Sequence, residues 1–271
     1  MKTFFPNYEY FIEDGGIRVK IEDQIPFDSE LMDLGNLKLP SKAIEVLSVT
    51  FDLEGFTNFT KQIDPQLAIP NFISEFFWWL FNRIRNELTT TKEKNNILWA
   101  ELPFLAKFMG DGALFLWKID SDKIVNIDQN SDAVNLNKYL GIFICNIISS
   151  LFEICNKYNS FYDDWLIKRY VDPPTKLRCG IARGNAFSIG NGSDFVGPCI
   201  NISTRLQKFS GLSFAFSARG INIRGFEEGY RKNFTKKRVA IRGIGDNELI
   251  YILKDEFNNL SEELKSNFLE P

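Results

Sequence analysis

The feature that most limits this fold is a pair of apolar runs, Leu102 to Met109 and Ala113 to Ile119, joined by Gly110-Asp111-Gly112. An Asp-Gly step between hydrophobic runs signals a β-hairpin, because the turn needs residues that accept unusual backbone angles. A third strand lies upstream. I-E-V-L-S-V-T-F-D (Ile44 to Asp52) is β-branched and partly alternating, the pattern of a buried strand. G-F-T-N-F-T follows, and then a helical pattern from about Asp64 to Leu88.

Further along, polar stretches at Asp120 to Asn137 and Asn159 to Pro174 read as loops or insertions flanking a second long helix, about Leu140 to Tyr158. L-R-C-G-I-A-R-G (Leu177 to Gly184) reads as a strand, and V-G-P-C-I-N-I-S-T-R-L-Q-K-F (Val196 to Phe209) opens a helix. S-F-A-F-S-A is a further strand, and V-A-I-R-G-I-G-D-N-E-L-I-Y-I-L a closing hairpin. This order, with two long helices, predicts an α+β sandwich with helices packed on an antiparallel-rich sheet. Residues 1–43, with Pro6, Pro26 and Pro40, are read as an N-terminal arm, 44–255 as the main domain and 256–271 as a tail.

Composition narrows the chemistry. There is no His among the 271 residues, which removes histidine as base, metal ligand or pH switch. A metal here must then rest on oxygen ligands, favouring Mg²⁺ or Mn²⁺ over zinc. The net charge of −3 gives no basic footprint for duplex nucleic acid. The 26 Phe are read first as core. Cys145, Cys155, Cys179 and Cys199 show no C-x-x-C spacing and read as buried thiols of a cytoplasmic protein. No targeting segment is visible, and the two greasiest stretches, Phe72 to Phe81 and Tyr139 to Cys155, are too short or too polar to span a bilayer.

Phosphoryl transfer needs metal ligands, donors on the developing charge and in-line geometry rather than covalent chemistry from the protein. Asp52 ends the first strand and Asp111 sits at the hairpin tip, so both can emerge at one edge of the sheet as metal ligands. Each has a plainer reading, strand-end cap or turn residue. Gly55, Phe56 and Thr57 lie where strand gives way to helix, where free amides can cradle phosphate; the plainer reading is an ordinary turn with Thr57 as N-cap. Asn201 and Arg205 are four apart on one helical face, suited to a ribose and a phosphate, or simply to solvent.

F-D-L-E-G-F-T (Phe51 to Thr57), K-F-M-G-D-G (Lys107 to Gly112), G-I-A-R-G (Gly180 to Gly184), D-F-V-G-P-C-I-N-I-S-T-R (Asp194 to Arg205) and I-R-G-I-G (Ile241 to Gly245) occur in this order. Together they resemble the catalytic domain of class III adenylate and guanylate cyclases over about residues 44 to 253. The resemblance implies a ferredoxin-like βααββαβ core and a head-to-tail homodimer with shared sites. It also implies two Mn²⁺ or Mg²⁺ ions per site, held by Asp52, Asp111 and the Leu53 carbonyl. Asn201 and Arg205 of the other subunit would serve ribose and phosphate, and Arg242 the triphosphate. Ile244 stands where many relatives carry a second Lys, and Ser203-Thr204 departs from the commoner small pair.

By the same resemblance, Lys107 and Asp194 read the base. The pair resembles the adenine-reading pair of the family, but a donor and an acceptor also suit cytosine, so it argues against guanine more than it argues for adenine. A lone cyclase domain with an N-terminal arm is similar to the stand-alone bacterial pyrimidine cyclases of Pycsar anti-phage systems, which make cyclic CMP or cyclic UMP for a separate effector protein. Phe51 beside Asp52 is read either as a wall for a small base or as core. The expected reaction is CTP or UTP to a 3′,5′-cyclic nucleotide plus diphosphate, with cyclic AMP synthesis and an inactive nucleotide-binding domain as alternatives. Arg224-Gly225-Phe226 is faintly similar to an RNA-binding motif, a reading the acidic balance opposes.

Overall fold

The computed structural model describes residues 8–21, 29–30, 33–61, 64–92, 95–120, 123 and 133–271. Strands β1 (Tyr8–Glu13) and β2 (Gly16–Ile21) pair antiparallel around Asp14 and Gly15, both at positive φ as a tight hairpin turn requires. They belong to a small unit, Met1–Ile44 with Ala186–Gly197. Glu45–Asn185 and Pro198–Pro271 form a second, larger one.

The larger unit is organised by β3 (Ala43–Glu54), which leads through one helical turn, α1 (Phe56–Phe59), to the long α2 (Pro65–Leu88). A short hairpin, β4 (Thr89–Lys92) and β5 (Asn95–Leu98), precedes β6 (Leu105–Met109), β7 (Gly112–Lys118) and α3 (Ala133–Phe161). Then come β8 (Lys176–Ile189), whose last residues belong to the smaller unit together with β9 (Asp194–Val196), and, in the larger unit again, α4 (Pro198–Leu206), β10 (Phe214–Ser217), β11 (Phe234–Ile241) and β12 (Gly245–Leu253). Residues 256–271 include a last strand, β13 (Phe268–Leu269), which pairs with β11. The sheet runs β13-β11-β12-β10-β8-β3-β7-β6, with β9 paired to β8. Strand β10 is parallel to β8, while β3 and β6 are both antiparallel to β7.

The alternation of β3 sorts its residues between two faces. Leu47, Val49, Phe51 and Leu53 enter a core with Phe72, Phe76 and Leu80 of α2 and Ile144, Ile148 and Leu151 of α3. Phenylalanine does fill this core: the Phe59 and Phe72 rings lie 4.7 Å apart. Ser48 and Thr50 point the other way and meet α4, where the Ser203 hydroxyl lies 2.8 Å and 3.0 Å from theirs. Ser203 Oγ also donates to the Ile200 carbonyl at 3.0 Å, so this buried cluster is satisfied. Gly180 on β8 admits the helix, since a Cβ there would stand 2.1 Å from the Ser203 carbonyl oxygen.

Two sequence expectations change. Part of the polar stretch Asp120 to Asn137 lies outside the described residues, but from Ala133 onward it is helix. Asn159 to Pro174 is not a loop throughout: α3 continues to Phe161, followed by a π-turn (Tyr162–Leu166) and a last helical turn (Ile167–Arg169). Leu166 is fully buried there. The Glu75 carboxylate of α2 accepts from Trp165 Nε1 (3.1 Å), Arg169 (2.6 Å) and the Tyr170 hydroxyl (2.9 Å). Charge and burial together hold the polar-looking segment in helical form.

Lys138–Arg169 is also, at 32 residues, long and apolar enough to cross a membrane by length and composition. Here Ile144, Ile147, Ile148, Leu151, Ile154 and Tyr158 bury that apolar face in the protein's own core. All four cysteines are buried and free, and burial pushes the Cys145 thiol up to about 12, far from reactivity.

Candidate active site

Asp52 follows Thr50 on the face of β3 that meets α4, and Asp111 is brought to it by the β6–β7 hairpin. Met109 pairs with Gly112, so the turn residues are Gly110 and Asp111, with Gly110 at φ 73°. Glycine in the first central position is what a type II′ hairpin needs. Gly112 explains the closeness of the two strands: a Cβ there would lie 2.2 Å from the Phe51 carbonyl oxygen and 3.3 Å from Asp52 Cα. Only hydrogen fits, and the neighbouring carboxylates converge.

Their convergence has an electrostatic signature. The half-buried Asp111 carboxyl is held above its usual range, first by burial and then by the charge of Asp52. Its own backbone amide, Arg178 and Lys208 oppose that rise. Both acids line a cleft of about 550 Å³ with Leu53, Gly55, Phe56, Thr57, Asn58, Arg178 and Lys208. The Leu53 side chain is buried in the core, so it is the backbone that Leu53 offers to the cleft. Gly55, at φ 93°, turns the chain into α1, where the Asn58 and Phe59 amides donate to the Gly55 carbonyl at 3.0 Å. Gly55, not Thr57, occupies the cap position, and the long helix begins only at Pro65.

Arg178 and Lys208 were not singled out by sequence. Arg178 donates to the Asp52 carboxylate, while its Nε is buried without a partner among the described residues. The available signal was strand alternation: Arg178 lies two residues before Gly180 and shares its face of β8. Lys208 lies in the turn just beyond α4, three residues after Arg205.

Other expected site residues lie elsewhere on the chain. Asn201 and Arg205 are both exposed on α4 and do not line this cleft. Arg242 is exposed between β11 and β12, and Lys107 is exposed on β6, opposite Leu114. Asp194 sits on β9 in the smaller unit, with its carboxylate accepting from the Phe195 amide at 2.8 Å. Phe51 is a correction. It is fully buried, edge-on to Phe115 at 6.0 Å, and faces α2 and α3 because side chains alternate along β3. Of its two readings, only the core residue describes it.

The donor set fits a hard divalent cation. Two carboxylates, one of them made easier to neutralise by the other, and a backbone carbonyl are oxygen ligands suited to Mg²⁺ or Mn²⁺. Among the described residues there is no cluster of three or more His, Cys, Asp or Glu side chains. Further coordination would thus fall to water and substrate phosphate, the usual way Mg²⁺ is held.

The fold is mixed α+β and is similar to that of solved bacterial adenylyl cyclases. In particular, the adenylyl cyclase CyaB from P. aeruginosa aligns with 82% of this chain and 100% of its own, at 14% identity and a TM-score of 0.54. A bacterial light-regulated adenylyl cyclase aligns with 81% of this chain, at 12% identity and a TM-score of 0.51. The matched part is 54% of that protein, so this chain spans about half its length. At such identities the likeness is one of fold. No protein-family model matches the chain, and no curated protein does.

Proposed function

We propose that the protein is a nucleotidyl cyclase that joins the 3′-oxygen of a nucleoside triphosphate to its α-phosphorus and releases diphosphate. The observation that carries this reading is the convergence of Asp52 and Asp111 in one cleft, built by Gly112 and marked by the raised Asp111 carboxyl. Asp52, Asp111 and the Leu53 carbonyl would hold two Mn²⁺ or Mg²⁺ ions, and the chemistry these would supply is acidification of the 3′-hydroxyl and offset of phosphate charge. Gly55, Phe56 and Thr57 wall the phosphate side. Within one chain this cleft lacks Asn201 and Arg205, which supports a head-to-tail homodimer in which a second copy supplies them. Arg205 then neutralises charge at the α-phosphate, Asn201 orients the ribose and Arg242 meets the triphosphate.

For the base we infer a pyrimidine, cytosine or uracil. Support comes from the likeness to stand-alone Pycsar-type cyclases, whose product is a messenger for a separate effector in anti-phage defence; Lys107 and Asp194, a donor and an acceptor, argue against guanine without separating cytosine from adenine. The buried Phe51 adds nothing to that argument. Incubating the purified protein with each of the four nucleoside triphosphates and Mn²⁺, with products identified by mass spectrometry, tests both levels. Cyclic CMP or cyclic UMP is expected. Dominant cyclic AMP would overturn the pyrimidine reading, and no cyclic product from any triphosphate would overturn the cyclase reading.

A further inference from the structure

The cleft of Asp52 and Asp111 contains two cations that are not equivalent. Arg178 is committed to Asp52. Lys208 lines the same cleft, is exposed, and its ammonium has no hydrogen bond or ion pair among the described residues. An unengaged lysine at the mouth of a polar cleft is a point charge awaiting an anion.

Its position is fixed by packing. A Cβ on Gly180 would stand 2.1 Å from the Ser203 carbonyl oxygen and 2.6 Å from the Gln207 amide nitrogen, so the last turn of α4 rests directly on β8. Arg178 projects from the same face of β8, two residues away. The Lys208 amide closes this turn by donating to the Arg205 carbonyl at 3.1 Å. Asn201 and Arg205 share one side of α4, and Lys208 lies in the turn that follows the helix, about 10 Å from Asn201 along its axis. That offset lets the end of the helix reach this cleft while Asn201 and Arg205 stay out of it.

Building on the cyclase reading, we propose that Lys208 binds the terminal phosphates of the substrate, the future diphosphate, in the cleft of its own chain. Helix α4 then serves two sites of a dimer: Lys208 acts with the Asp52 and Asp111 of its own chain, and Asn201 and Arg205 act with those of the other copy. A triphosphate held by divalent ions on two carboxylates keeps negative charge at its far end, and Lys208 meets that charge without first breaking another bond.

Two measurements test this. The first is calorimetric binding of inorganic tripolyphosphate in the presence of Mn²⁺, which needs no turnover. Lys208→Ala should weaken it about tenfold, and Lys208→Arg should stay within about threefold of the parent, with unchanged melting temperature in both. Unchanged affinity in Lys208→Ala overturns the proposal. The second is mixing impaired subunits and assaying cyclic nucleotide at substrate concentrations well below saturation, where the loss in Lys208→Ala is read. Lys208→Ala with Arg205→Ala should restore one working site per heterodimer, whereas Lys208→Ala with Asp52→Ala should restore none. Recovery in the latter mixture would put Lys208 in the other copy's site and overturn its placement. If the parent turns over no triphosphate, the cyclase reading fails, and the tripolyphosphate comparison still decides the role of Lys208.

Discussion

Replacing Gly180 by alanine isolates the contact that seats α4 on the sheet. The new Cβ would meet two backbone atoms, the Ser203 oxygen at 2.1 Å and the Gln207 nitrogen at 2.6 Å. Backbone cannot swing aside as a side chain can. To restore ordinary contact at 3.4 Å, the end of the helix must retreat by about 1.3 Å. Overpacking of this kind costs about 1–3 kcal/mol. Loosening the Ser48–Thr50–Ser203 hydroxyl cluster adds about 1 kcal/mol for each hydrogen bond lost. The urea midpoint should therefore fall by about 1 M. Catalysis should suffer more than stability, because a displacement of about 1 Å in groups that position substrate costs about 100-fold. Urea unfolding followed by tryptophan fluorescence, with cyclase assays well below the melting temperature, reads both effects. Gly229→Ala is the control, since a Cβ there meets nothing within 4 Å. A Gly180→Ala protein with parental midpoint and parental turnover would refute the packing argument.

Asp111 carries a prediction with a definite sign. A carboxyl whose folded pKa is raised contributes stability that is complete below its unfolded value of about 3.9 and is lost as pH rises through the folded value. Asp111→Asn should thus melt higher than the parent at neutral pH without metal, yet lose the stabilisation Mn²⁺ gives the parent; thermal melts across pH with and without Mn²⁺ check both. Ser203→Ala should cost about 1–3 kcal/mol in chemical denaturation, because it strands the buried Ser48 hydroxyl and leaves Thr50 only its 3.5 Å contact with the Thr204 hydroxyl. Glu75→Ala removes the shared acceptor of Trp165, Arg169 and Tyr170, so hydrogen exchange should quicken across residues 162–170 while protection in β3 and β8 is unchanged.

The strands, the two long helices and the hairpin tip were legible because each follows from local periodicity and turn chemistry. The sequence places Asp52 and Asp111 at strand ends; the structure adds that Gly112 presses the two strands together. Arg178 was hidden because alternation puts it on the same face of β8 as Gly180 but does not say that Asp52 meets that face until the strands are assembled. Lys208 was hidden because its cleft is assembled from β3, the hairpin and the end of α4, far apart in the chain. The π-turn at Tyr162–Leu166 was misread because its polar residues suggest a loop, while its stability comes from a carboxylate about ninety residues upstream. Phe51 was ambiguous for the opposite reason: adjacency in sequence to Asp52 means opposite faces in a strand.

The central claim is that Asp52 and Asp111 form a cyclising site, and product stoichiometry tests it most directly. With the preferred triphosphate and Mn²⁺, the protein should release diphosphate and 3′,5′-cyclic nucleotide in equal amounts, while folded Asp52→Ala and Asp111→Ala proteins release neither. Linear nucleotide in place of the cyclic product, or unchanged turnover in both variants, would contradict it.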